Sequence, residues 1–197
     1  MGKLDGKKIA IVATDGFEQS ELTGPREILE KAGAKCFVVS PKEGKIKGWK
    51  HTEWGDEVPV DRSLAGARAE EYDALVLPGG QMNPDVLRGM PEVQAFVKGF
   101  ADAGKPIGAI CHGPWSLINA GVVKGKTVTS WPSIKTDLIN AGAKWVDQEV
   151  VVDQGLVTSR KPDDIPAFGA KLVEEIAEGP HTGRGKANGV PSSQARV

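Results

Sequence analysis

Short apolar runs alternate with longer amphipathic stretches along this chain. Residues 8–13 form a near-continuous apolar run bounded by Asp15 and Gly16, the pattern of a strand covered on both faces. Residues 35–39, 73–77 and 105–110 repeat it, the second of these closed by Pro78, Gly79 and Gly80. Between them, residues 21–31 carry Leu22, Ile28 and Leu29 among charged positions and stop at Gly33. Residues 91–103 place Val93, Phe96, Val97 and Phe100 at helical spacing, and Gly104 ends them. A short helix over 115–120 follows the fourth strand. Further strands are predicted over 127–129 and 149–152, with 156–158 returning as a hairpin, and further helices over 133–141 and 162–177.

Strands joined by helices of this length predict right-handed parallel crossovers, hence an α/β fold with a doubly wound, mainly parallel sheet sandwiched between helices. Ligands in such sheets gather at the carboxyl ends of the strands. Residues 15–18, Gly79 with Gly80, and Cys111 with His112 all fall at such ends. Two stretches stand apart. Residues 41–60 are polar and carry Trp49 and Trp54, exposed indoles suited to an oligomer contact or to folding back on the core. Residues 179–197 lack apolar periodicity and read as a disordered tail behind a single domain over 1–178.

Composition narrows the field. With 25 basic and 26 acidic residues the net charge is −1, which offers no field for nucleic acid or an anionic membrane. No apolar run approaches the ~18 residues of a membrane span, and the first residues lack a signal-peptide core. The two cysteines, Cys36 and Cys111, lie on separate strands and suit a reducing, cytoplasmic setting. Cys36 reads as core. His51 and His181 have no ligand-like neighbours in sequence, so no metal is expected, and no nucleotide-binding glycine motif is present.

Cys111 carries the chemistry. It sits where a strand breaks into a helix through His112, Gly113 and Pro114, a turn that lifts a side chain out of the sheet beside unpaired helix amides. Such a place favours a thiolate; the plainer alternative is a small buried hydrophobe. Gly79 and Gly80, with the His112 amide, could form an oxyanion hole, or simply a tight turn.

Residues 109–114, the turn 15–18 with Glu21 and Leu22 behind it, and residues 77–80 together resemble the ThiJ/PfpI superfamily over roughly residues 7–178. Residues 129–133 and 140–147 are most similar to its PfpI branch and general-stress relatives. The resemblance implies a flavodoxin-like sandwich related to class I glutamine amidotransferases. It implies Glu18 as the acidic partner of the thiol; taken alone, Glu18 reads as a loop carboxylate or helix cap. Two adjacent anions are disfavoured, so Glu18 is expected to be protonated and to donate to the sulfur. His112 is either a catalytic base or a structural imidazole. The resemblance places Asp85 near an acid supplied across a subunit boundary, where glutamate is usual, the alternative being a helix cap. Trp131 would line the pocket mouth.

The activity implied is that of a cofactor-independent, stress-protective enzyme acting on reactive carbonyls, as a glutathione-independent glyoxalase or a deglycase. The alternatives are an intracellular cysteine peptidase acting on peptide substrates, and a redox sensor or chaperone in which Cys111 is oxidised. A homodimer or hexamer is the expected assembly.

Overall fold

The computed structural model describes residues 2–181. In chain order its strands are β1 (Lys8–Val12), β2 (Phe17–Glu18), β3 (Lys35–Ser40), β4 (Lys45–Lys50), β5 (Glu53–Pro59), β6 (Arg62–Ser63), β7 (Ala74–Leu77), β8 (Ile107–Ile110), β9 (Thr127–Val128), β10 (Lys144–Trp145), β11 (Val150–Asp153) and β12 (Leu156–Ser159). The α-helices are α1 (Gln19–Lys31), α2 (Met82–Arg88), α3 (Pro91–Asp102), α4 (Pro114–Asn119), α5 (Lys135–Asn140) and α6 (Ile165–Glu178).

Seven strands form one sheet in the order β11-β12-β8-β7-β1-β3-β6. Every neighbour in it is parallel except the hairpin of β11 and β12 at one edge. Alternation along the strands sorts two cores. Ala10, Val12, Leu75, Leu77, Ile107 and Ala109 face one layer, which holds Val93, Val97 and Phe100 of α3 and Leu117 of α4. Ile9, Ile11, Ala74 and Val76 face the other, with Leu22 and Leu29 of α1 and Phe168, Leu172 and Ile176 of α6. Helices on both faces explain why β7 and β8 are buried at every position, and why the sequence reads there as unbroken apolar runs.

The expected sheet and its main helices are present, with boundaries shifted by a few residues. The differences are local. Residues 41–60 hold an antiparallel hairpin of β4 and β5 that pairs with β2. In it Trp49 packs edge-on against Trp54 at 5.4 Å between ring centroids. Trp54 stays 49% exposed and Trp49 is half-buried, so the two indoles pack on each other and neither joins the two cores. The strand expected over 127–129 lies outside the main sheet and pairs with β10 instead. Most of the stretch expected to be a disordered tail, residues 182–197, lies outside the described residues.

The register β7 with β8 and β1 with β7 brings three strand ends side by side: Val12, Leu77 and Ile110 lead into adjacent loops. This is the face on which ligands of parallel sheets collect. It rests on tight packing beneath. Phe168 and Leu172 of α6 close over Gly108 in β8, where a Cβ would meet Leu172 Cδ2 at 2.6 Å and Phe168 Cζ at 2.9 Å. Phe168→Ala is therefore expected to cost about 3–5 kcal/mol, measured as a lower denaturant midpoint at unchanged slope; a loss below about 1 kcal/mol would contradict this packing.

Candidate active site

Cys111 follows the last residue of β8 with φ 62°, a left-handed conformation unusual for a non-glycine residue. Its backbone is clamped from both sides. The Cys111 N–H donates to the Ser159 carbonyl at 3.0 Å, and its carbonyl accepts from Trp131 N–H at 2.9 Å. Such a conformation costs of order 1–3 kcal/mol and persists only where the surroundings hold it. Here it swings the thiol off the sheet toward the loop after β7.

Glu21 meets the thiol there. It lies in the first turn of α1 on the buried face shared with Leu22, Pro25 and Leu29, and is 0% exposed. Its Oε2 accepts the Gly79 N–H at 2.9 Å, and its carboxyl sits against the Cys111 sulfur. Its other oxygen, Oε1, is buried without a hydrogen-bond partner among the described residues. Burial, reinforced by the charge of Glu18, raises the Glu21 carboxyl from 4.5 to about 8, against the opposing pull of the Gly79 amide. Burial and the same carboxyl push the Cys111 thiol up, while the Gly80 and His112 amides pull it down. Two negative charges in this space are disfavoured, so the pair retains at least one proton at neutral pH.

Glycines make this approach possible. A Cβ on Gly79 would collide with Glu21 Oε2 and, at 2.6 Å, with Cys111 Cβ. Gly80 has φ 77° and lies against the backbone of Gly16 and Glu18. Asn83 ties the loops together. Fully buried, it accepts from Thr14 N–H at 2.7 Å and donates to the Pro78 and Gly79 carbonyls at 3.0 and 3.1 Å.

His112 approaches the sulfur from the other side, its Nδ1 3.2 Å from Cys111 Sγ. Its Nε2 lies 3.3 Å from the Ser133 hydroxyl. The ring stacks on Trp131 at 6.0 Å and meets Trp115 edge-on at 5.2 Å. Burial lowers its pKa, which favours the neutral imidazole.

The expected residues are thus placed unevenly. Cys111, His112 and Gly80 converge, and Trp131, 39% exposed, stacks on His112 at the surface. Glu18 does not pair with the thiol. It precedes α1, and its carboxylate accepts instead from the Ser20 hydroxyl at 3.1 Å. The physical reason is the start of the helix: three residues further on, the first turn points Glu21 inward. The Gly79 amide is committed to Glu21, so it is not a free oxyanion donor, and that capacity falls to Gly80 and His112. Asp85 is exposed in the first turn of α2, and within the chain Ser133 serves His112 Nε2. His181, expected to lack ligand-like neighbours, lies 2.8 Å from Glu175.

Glu21, Asn83 and Ser133 escaped the sequence reading. Glu21 alone left a signal: it falls in line with Pro25 and Leu29 at i+4 and i+8, an acid in an apolar stripe. Its titration has a readable consequence. Because its folded pKa is raised, the folded chain holds a proton that the unfolded chain releases above about 4.5. This contribution to stability is full below that value and is lost as pH rises toward about 8. Glu21→Gln is expected to flatten the fall in unfolding free energy between pH 5 and 8, which Glu21 makes steeper by up to about 1.4 kcal/mol per unit. Identical slopes in both proteins, from denaturant titrations, would contradict the assignment.

The DJ-1/PfpI family matches residues 7–175. Over 169 residues the chain is 47% identical to protein/nucleic acid deglycase 2 of Escherichia coli (strain K12), covering 85% of this chain and 96% of that one. Over 162 residues it is 44% identical to YraA of Bacillus subtilis (strain 168), provisionally named a cysteine protease, covering 82% and 94%. Among solved structures, Drosophila melanogaster DJ-1beta superposes with a TM-score of 0.80 at 31% identity, over 90% of this chain and 91% of that one. No helix among the described residues is long and apolar enough to cross a membrane. With a family match spanning nearly all the described residues and relatives alike over most of their own length, the chain belongs to the DJ-1/PfpI family.

Proposed function

We propose that this protein is a cysteine-dependent enzyme acting on reactive carbonyls, with Cys111 as nucleophile and Glu21 as the group that moves protons. The observation that carries this reading is the fully buried Glu21 carboxyl held against the thiol with a pKa raised to about 8. An acid titrating near the operating pH can both donate and accept a proton, which a plain thiol addition does not need but a carbon-to-carbon proton shift does.

With a 2-oxoaldehyde, the Cys111 sulfur bonds to the aldehyde carbon and loses its proton to water, while the Glu21 carboxyl gives its own proton to the aldehyde oxygen, leaving a hemithioacetal beside an ionised Glu21. The amides of Gly80 and His112, which face the sulfur, are the donors nearest that oxygen as charge develops. Glu21, now ionised, takes the proton from the carbon bonded to sulfur, forming an enediolate; the hydroxyl proton shifts to the neighbouring oxygen, and Glu21 returns its proton to the neighbouring carbon. The resulting thioester is hydrolysed by water to a hydroxy acid, releasing the thiol. No redox partner is required, since one carbon is oxidised as its neighbour is reduced. The deglycase named among the relatives supports the same class of carbonyl chemistry.

A second reading, cysteine peptidase, is favoured by His112 Nδ1 at 3.2 Å from the sulfur. It would require His112 to hold the thiol proton as an imidazolium. Burial disfavours that charge, and Ser133 rather than a carboxylate meets Nε2 within the chain. The carbonyl reading uses the buried acid; the peptidase reading leaves it without work.

Lactate formation from methylglyoxal in the absence of glutathione separates these readings. Cys111→Ala is expected to abolish turnover, and Glu21→Gln to lower kcat by about 10²-fold or more. Glu18→Gln is expected to stay within a few-fold of wild type, and His112→Ala to weaken activity without abolishing it. Absence of turnover in the reduced wild type, or dependence on Glu18 rather than Glu21, would overturn the proposal.

A further inference from the structure

A second cluster lies at the opposite end of β8 from Cys111. Helix α6 ends at Glu178, and Gly179, with φ 87°, turns the chain back on itself. That reversal is pinned. The His181 N–H donates to the Gly104 carbonyl at 2.8 Å, in the turn between α3 and β8, and a Cβ at Gly104 would strike the His181 carbonyl. Glu175, Glu178 and His181, spaced by three residues, thereby bring one donor atom each to within 4.8 Å of one another.

The inner part of this cluster is closed to solvent and holds a close contact without hydrogen-bond geometry. Glu175 is only 8% exposed, and its Oε2 lies 2.8 Å from His181 Nε2. At that separation an ordinary hydrogen bond would satisfy both. Yet both atoms are closed to solvent, and neither makes a hydrogen bond of acceptable geometry among the described residues. Two buried atoms at ion-pair distance but without hydrogen-bond geometry, with a second carboxylate, that of Glu178, beside them, offer their lone pairs to a common cation. The carbonyl end of α6 adds partial negative charge at the same place.

We propose that Glu175, Glu178 and His181 form a binding site for one divalent transition-metal ion of the zinc class. An imidazole with two carboxylates suits such an ion better than magnesium or calcium, which favour oxygen donors alone. Three protein ligands leave room for water. The site is remote from the thiol, and its effect is to fasten the end of α6 and the chain after it to the turn that starts β8.

Zinc retained per chain, measured by elemental analysis after equilibrium dialysis against micromolar zinc sulfate, tests this in the full-length protein. One equivalent is expected in the wild type and in Cys111→Ser, which removes the thiol as a competing ligand. His181→Ala and Glu178→Gln, both outside the cores, are expected to weaken retention by about tenfold or more while keeping the wild-type circular dichroism spectrum. No zinc in the wild type, equal zinc in His181→Ala, or loss of zinc in Cys111→Ser would each overturn the proposal.

Discussion

A carboxyl and a thiol forced into one dry space set the terms for the rest of this structure. The Gly79 amide fixes one oxygen of Glu21 at 2.9 Å, and the left-handed turn at Cys111 delivers the sulfur to it. Neither feature stands without the other. The carboxyl is buried because the first turn of α1 faces the sheet, and the thiol reaches it because Gly79 carries no side chain. The loops after β1 and β7 are in turn held by Asn83, whose three hydrogen bonds leave them little freedom.

That constraint divides the work between two acids three residues apart. Glu18, half-buried and bonded to Ser20, sits outside the site and helps to raise the Glu21 pKa from there. Glu21 carries the proton. Around the sulfur, His112 is held by two indoles and a serine hydroxyl, an environment suited to orienting a neutral ring. In the proposed chemistry this arrangement supplies a proton donor and acceptor beside the nucleophile, with two amides to receive an oxyanion.

Much of this was legible in the sequence. The apolar runs at β1, β7 and β8 announce a doubly covered parallel sheet, and Cys111 between Ile110 and Gly113 marks the strand end where chemistry collects. What was not legible depends on rotation and on long-range contact. Glu18 and Glu21 differ by less than one helical turn, and only the exact start of α1 decides which faces inward. The commitment of the Gly79 amide needs a contact between residues 58 positions apart. The hairpin of β4 and β5 was hidden by its polar composition, since its strands are exposed at many positions. His181 looked isolated because its partners lie behind it on α6, and the turn at Gly179 is what returns it to them.

The most direct test of the account is the titration of the Glu21 side chain itself, followed by carbon NMR of the protein labelled at glutamate carboxyls and assigned by loss of one resonance in Glu21→Gln. The account predicts a carboxyl that stays protonated through neutral pH and titrates near 8. A Glu21 resonance titrating in the ordinary range near 4.5 would contradict it, and with it the shared proton on which the proposed chemistry depends.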